Sequence, residues 1–324
     1  MRRNRPLYAA RLNAFKSVPD TPSGIRGMIA AAGRVGGLNA ADLNFPDHFQ
    51  DDDAGQVATM LADAGLALNG LAMRYYTDPG FKLGAFTHPD PQVRAAALDI
   101  TRRGLDTLAD MGGSLMTLWM GQDGVDYSFQ GDYARMWDTT IDCLQQVAAH
   151  NPALDIAIEY KPNEPRAYAL MPDIGTTLLA VREAGAPNLG VTLDFAHVLY
   201  ADEIPAHAAH LVARHSRLLG VHLNDGYGKR DDGLMVGTVH PVQTVELFME
   251  LDRIGYDGAI YFDTFPDQGG LDPIEEARTN LHVVERLRAV ALDLRGNAAL
   301  EQAIDTQDAA RSMRIISDAL YGVG

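Results

Sequence analysis

Cysteine is nearly absent: Cys143 is the single thiol in 324 residues. One thiol excludes an intramolecular disulfide framework and a thiolate zinc cluster. Its place in a helix-like segment predicts a buried, structural side chain. No apolar run approaches the ~18 residues of a membrane span. No block of five or more Lys/Arg appears, and 27 basic residues face 43 acidic ones for a formal net charge of −16. Nucleic acid or an anionic membrane would call for a basic face, so neither is expected as a partner. No Gly-rich phosphate turn follows an early strand; Gly36-Gly37 precedes a strand candidate and reads as a turn. Residues Met1–Arg5 are basic, but Pro6–Phe15 contains Arg11 and Asn13 and no long apolar core. No secretory signal is therefore expected, and a cytoplasmic location is the default. What is present is ordinary for a globular chain, with 47% hydrophobic residues. A small-molecule or cation ligand fits that balance.

Short apolar runs alternate with longer helix-like segments. The strand candidates are 7–15, 40–45, 66–75, 114–120, 153–160, 189–195, 218–224 and 258–265. Helix candidates lie near 22–35, 51–64, 90–111, 130–149, 173–185, 204–216, 240–254 and 272–294. Asp90-Pro91 and Pro172-Asp173 carry helix-start chemistry, with the acid placed to cap. Gly65, Gly185 and Gly255 each follow a periodic segment and read as helix stops. Most strands are near-continuous apolar runs, as in a parallel sheet covered on both sides. Eight strands each followed by a helix predict an α/β fold, a (β/α)8 TIM barrel, over 1–295. Residues 296–324 are expected to add a C-terminal helical extension that braces the barrel or meets another subunit.

The segment Ile158-Glu159-Tyr160-Lys161-Pro162-Asn163-Glu164-Pro165-Arg166 holds the densest chemistry. Strand alternation points Glu159 and Lys161 to one side, and the prolines end the strand. Three later strands finish similarly, at Asp194, His222 and Asp263. In a barrel, strand carboxyl ends converge on one site. Three carboxylates gathered there repel one another unless a cation joins them. Oxygen-rich ligation with one imidazole suits Mn2+, Mg2+ or Co2+ better than a structural zinc. His197, Asp231 and Asp232 lie just beyond those ends and are candidates for a second ion, although Asp231-Asp232-Gly233 also reads as a solvated turn. Trp119, followed by Gln122, Asp123 and Asp126, is placed to stack on sugar carbons or to pack in the core. His88 lies in the loop after strand three. His207, His210 and His215 read as surface or packing residues.

These residues resemble the xylose isomerase-like TIM-barrel superfamily. Glu159-Tyr-Lys161-Pro-Asn-Glu-Pro-Arg166 is similar to the Glu-Pro-Lys-Pro-Asn-Glu-Pro-Arg segment of xylose isomerase, with Tyr160 in place of proline. Asp194-x-x-His197, His222-Leu-Asn-Asp225, Asp263, Thr87-His88-Pro and Leu118-Trp119 look more like bacterial L-rhamnose isomerase of the broad-specificity type. The resemblance implies a structural metal at Glu159, Asp194, His222 and Asp263, with Mn2+ the expected ion. It implies a second ion at His197 and an acid of 231–232, where those enzymes carry Asp-x-Asp rather than adjacent acids. It also suggests a homo-oligomer.

The activity expected from this reading is metal-dependent aldose–ketose isomerisation of a carbohydrate. Lys161, His88 and Asp231 are the candidate catalytic residues, and Trp119, Arg166 and His197 the candidate substrate contacts. The first alternative is ketose 3-epimerisation, which needs carboxylates on opposite faces of C3. Asp263 is shorter than the Glu usual on the eighth strand of those enzymes, and Lys161 favours the isomerase. A second alternative is a C-glycoside deglycosidase-type lyase, acting on 3-oxo-glycosides with a small partner subunit and His88 or His240 as base. A barrel that only binds sugar, or a phosphodiesterase of the endonuclease IV type, fits the composition less well.

Overall fold

A computed structural model describes residues 6–322. Met1–Arg5, on which part of the signal-peptide reading rests, and the last two residues of the expected extension lie outside the described residues. Among the described residues, eight parallel strands close a barrel in sequence order. They are β1 (Tyr8–Arg11), β2 (Ala40–Phe45), β3 (Ala67–Met73), β4 (Leu115–Trp119), β5 (Asp155–Glu159), β6 (Leu189–Asp194), β7 (Leu218–Leu223) and β8 (Ile260–Phe262). The ring closes where Ala10 of β1 pairs with Phe262 of β8.

The surrounding helices are α1 (Gly24–Gly33), α2 (Ala54–Asp63), α3 (Pro91–Asp110), α4 (Tyr133–His150), α5 (Ile174–Ala184), α6 (Pro205–His215), α7 (Pro241–Arg253) and α8 (Pro273–Leu294). The punctuation acts as its chemistry predicts. Asp90 caps α3 by accepting from the Gln92 amide, and Asp173 caps α5 through the Thr176 amide. Gly65, Gly185 and Gly255 take φ of +71°, +67° and +72°, a left-handed turn that glycine reaches without a Cβ clash. Cys143 is buried, and burial pushes its thiol up to about 12, so it packs as an apolar side chain.

Three expectations are corrected. The strand expected over 7–15 stops at Arg11, and Leu12–Phe15 forms a 3-10 turn. Pairing ends there because the neighbouring β8 stops at Phe262, and the turn still buries Leu12, Ala14 and Phe15. The strand expected over 258–265 shrinks to Ile260–Phe262, so Asp263 lies just past the strand. The single helix expected near 296–322 is two, α9 (Ala298–Asp305) and α10 (Ala309–Tyr321). Gln307 at φ +54° breaks the run, and Asp308 caps α10 through the Arg311 amide.

Several short elements escape sequence patterning, two of them beside the strand-end residues. The helix Phe195–Tyr200 follows β6 directly. A two-residue ladder joins Gly124–Val125 to Tyr168–Ala169 across the barrel mouth. Gly124 is required there, since a Cβ would meet the Tyr168 carbonyl at 2.1 Å. Among the described residues no helix is long and apolar enough to cross a membrane.

Candidate metal centre

Alternation aims the strand-end side chains inward. Glu159 ends β5, Asp194 ends β6, His222 lies one residue inside β7, and Asp263 follows β8. Register sets them level: Asp194 pairs with His222, and His222 with Tyr261, whose ring lies 4.3 Å from the imidazole. One ligand atom from each of Glu159, Asp194, His222 and Asp263 lies within 4.8 Å of the others. Two ionised carboxylates at that separation repel by ~3 kcal/mol at an effective dielectric near 20. The four residues predicted as ligands are therefore brought together, and in a buried place.

Charge in the cluster is balanced by protons. His222 Nδ1 lies 3.5 Å from Glu159 Oε2, and His197 Nδ1 lies 3.5 Å from Glu159 Oε1. Burial works to lower both imidazoles, but Asp194 and Asp231 raise His197 to about 10, and Glu159 raises His222 to about 9. Burial raises Asp194 to about 7, an effect His197 opposes. Burial likewise raises Asp263, offset in part by Arg11 and His222. Glu159 goes the other way: the two imidazoles outweigh its burial and hold it ionised.

A divalent cation fits this donor set. His222 Nδ1, His197 Nδ1, Asp263 Oδ1 and Asp231 Oδ1 are buried without a hydrogen-bond partner among the described residues. Such atoms are costly to bury unpaired, and two of these four residues, His222 and Asp263, belong to the four-ligand cluster. Asn224 supports the set. Its Nδ2 donates to both Asp194 oxygens at 3.2 and 3.1 Å and to the Asp263 carbonyl at 3.2 Å. Its oxygen accepts from the Ala196 amide. Sequence reasoning passed over Asn224, yet strand alternation from His222 would have pointed to it.

The second group of candidates divides. Asp231 turns in: its Oδ2 accepts from Lys161 Nζ at 3.1 Å and sits 3.2 Å from His197 Nε2. Burial would raise it, but His197 and Lys161 hold it well below the usual carboxylate range. Asp232 turns away and closes its own loop, accepting from the Tyr227 amide and from Arg230. Lys161 also meets Glu164 at 3.0 Å and lies 5.5 Å from the centre of the Trp119 ring. Burial works to lower its pKa, and the Asp231 and Glu164 carboxylates raise it, so the amine stays charged. Tyr160 points the opposite way, to Glu203, as alternation requires.

Trp119 lines a cavity of about 20 Å³ together with Glu159, Lys161 and Asp123. Asp123 fastens the loop after β3, its Oδ1 accepting from the Ala85 amide and from the amide and hydroxyl of Thr87. His88 follows in that loop, where its Nδ1 accepts from the Asp90 amide at 3.1 Å; among the described residues no hydrogen bond or ion pair joins it to the four-ligand cluster. Arg166 is buried and braces loops, reaching Asp126 at 2.8 Å and the Lys82 carbonyl at 3.2 Å. His210 pairs with Glu250 on the helical layer, in keeping with a packing role.

The proton inventory gives a testable consequence. Metal ligands must be deprotonated, so Mn2+ loading at pH 7.5 should release at least one proton, from His222. Titration calorimetry in buffers of different ionisation enthalpy should show it, and a buffer-independent heat would refute it. The metal-free protein has a matching pH dependence. Histidines with raised folded-state pKa stabilise fully below about 6.5 and lose that contribution as pH rises through 9 to 10. The apoprotein should therefore lose thermal stability between pH 7 and 10.

The comparisons with known proteins agree with this architecture. The chain is 30% identical over 224 residues to a xylose isomerase of Thermus thermophilus, covering 67% of this chain and 58% of that enzyme. The chain thus spans little more than half the length of that curated relative. Among solved structures, a D-tagatose 3-epimerase-like protein superposes with a TM-score of 0.74 at 14% identity, covering 89% of this chain and 98% of that one. An L-ribulose 3-epimerase superposes with a TM-score of 0.72 at 16% identity, covering 91% and 99%. These relatives are xylose isomerase and ketose 3-epimerase in name, and the finer likeness to L-rhamnose isomerase expected from the sequence is not shown by them. The profile of the xylose isomerase-like TIM-barrel family matches residues 30–287, and the chain belongs to that family.

Proposed function

We propose that this chain is a divalent-metal-dependent sugar isomerase that interconverts an aldose and a ketose. The observation that carries this reading is Lys161, buried beside the four-ligand cluster and held by Asp231 at 3.1 Å and Glu164 at 3.0 Å. Glu159, Asp194, His222 and Asp263 would hold the ion, for which Mn2+ is our expectation and Mg2+ or Co2+ are substitutes. When bound, the cation supplies Lewis acidity toward the oxygens of an open-chain sugar.

The chain's own residues supply the rest. Lys161 Nζ is a fixed cationic donor for negative charge growing on the C1 oxygen. Asp231 is an ionised acceptor that receives the proton leaving O2 and returns it to O1, while the C2 hydrogen passes to C1 as hydride. His197 orients Asp231 from its other side. The Trp119 ring, which packs edge-on against Tyr76 at 4.9 Å, offers an apolar wall for sugar carbons.

A second reading is ketose 3-epimerisation, favoured by the comparisons. The 3-epimerase structures match along 98–99% of their length, whereas the xylose isomerase aligns over 58% of its own. Glu159 and Asp263 would then be the two carboxylates that exchange the C3 proton. NMR of a panel of aldoses and ketoses in deuterated water separates the two. Aldose–ketose conversion with carbon-bound hydrogens retained is the expected result. Deuterium entering at C3 would replace the isomerase by the epimerase. An inert sugar panel with cleavage of a 3-oxo-glycoside would instead point to the lyase.

A further inference from the structure

Asp263 differs from its three fellow ligands. Its side chain is 16% exposed, against 8%, 0% and 8% for Glu159, Asp194 and His222. It also stands just past the end of β8, where its amide donates to the Leu223 carbonyl at 3.1 Å. That bond and the Asn224 contact to its carbonyl fix the Asp263 backbone, and neither sets the direction of its carboxylate. The β1–β8 register sets Ala10 beside Phe262, which puts Arg11 level with Asp263 at the point where the barrel closes.

Arg11 grips the whole segment. Its Nε lies 3.5 Å from Asp263 Oδ1 and donates to the Thr264 carbonyl at 3.2 Å. Its Nη2 meets Asp267 Oδ1 at 2.5 Å, and the guanidinium carbon lies 4.7 Å from the centre of the Phe265 ring. Asp267 is itself buried, with 1% of its side chain exposed, and its other oxygen is paired with Lys16 at 2.9 Å. One planar fork thus contacts four of five consecutive residues. A guanidinium does this where an ammonium does not, because its donors are fixed in a plane that matches several acceptors at once.

We propose that Arg11 is a positioning residue for the metal centre: anchored by Asp267, it holds the Asp263 carboxylate in its ligating orientation. This rests on the metal-site reading, though not on which sugar reaction follows. Groups that orient metal ligands without touching the ion typically change its affinity 10- to 100-fold.

The test is titration of Mn2+ into metal-free wild type, Arg11→Met, Arg11→Lys and Asp267→Asn, with the Mn2+ EPR line shape recorded beside each. Arg11→Met should weaken Mn2+ about 10- to 100-fold and broaden the EPR signal, as Asp263 loses its fixed geometry. Arg11→Lys should keep the charge but recover only part of the affinity. Asp267→Asn should weaken binding through Arg11, so that adding it to Arg11→Met costs little more. Wild-type affinity and line shape in Arg11→Met would overturn the proposal, even if its thermal midpoint falls, because Arg11 would then be a structural clamp alone. If Arg11→Met does not fold, unchanged affinity in both Arg11→Lys and Asp267→Asn would overturn it. Failure of the wild type itself to bind Mn2+, Mg2+ or Co2+ would instead sink the metal-site reading, and this inference with it.

Discussion

Asp194→Asn is expected to weaken divalent-metal binding by more than about 100-fold, since the loss of outer partners alone reaches that figure, while the metal-free fold survives. The side chain caps a helix, accepts from Asn224 with both oxygens and carries a buried charge, and Asn replaces only one of the two Asn224 acceptors. Its Oδ1 caps the helix Phe195–Tyr200 by accepting from the His197 amide at 3.0 Å, and an Asn oxygen keeps that bond. Its charge, in contrast, is a cost to the metal-free protein, because burial raises the carboxyl from 3.8 to about 7. A group with a raised folded-state pKa destabilises increasingly as pH climbs from about 4 to 7. The relieved charge offsets the lost Asn224 bond, so the metal-free variant should melt near the wild-type temperature at pH 7. Mn2+ at 1,000 times the wild-type Kd should stabilise the wild type by about 4 kcal/mol and the variant by no more than about 1.4 kcal/mol. Equal Mn2+-induced shifts in the two proteins would remove Asp194 from the ligand set.

The second large effect is on turnover. Lys161→Met should lower kcat by a factor of about 10² to 10³, the usual loss when one fixed donor to a developing oxyanion is removed. Metal affinity at the four-ligand site should change little, because Lys161 is bonded to Asp231 and Glu164 rather than to that cluster. The methionine chain fills much of the volume against Trp119, so packing loss is small. The pair of measurements matters: near-normal turnover with unchanged metal affinity would end the isomerase scheme. In that case Lys161 would be a strut between loops, and the 3-epimerase reading would move ahead.

Much of the barrel was legible in the chain because its signals are local. Asp90, Asp173 and the positive-φ glycines 65, 185 and 255 act within one turn of the backbone. Apolar runs of strand length do the same, and the helix bounds read from them lie within a few residues of those observed. Strand ends were less legible. Whether Leu12–Phe15 continues β1 depends on how far β8 runs beside it, and β8 lies some 250 residues away in sequence. The ladder of Gly124–Val125 with Tyr168–Ala169 has the same origin: neither dipeptide carries a pattern until the other is beside it.

The candidate site divides along the same line. By itself the sequence determined a polar residue at the end of each of strands five to eight, and a parallel barrel turns four such ends into one place. Two-residue alternation also settled that Glu159 and Lys161 share a side and that Tyr160 does not. Only the tertiary structure decided between Asp231 and Asp232, which adjoin in sequence but face the site and the solvent-side loop respectively. It likewise left His88 in its own turn, made Arg166 a loop brace, and set Arg11 against Asp263. These outcomes depend on which distant loops pack together and on where the ring closes. Such contacts are decided by the summed burial of the whole chain, which no local run of residues encodes.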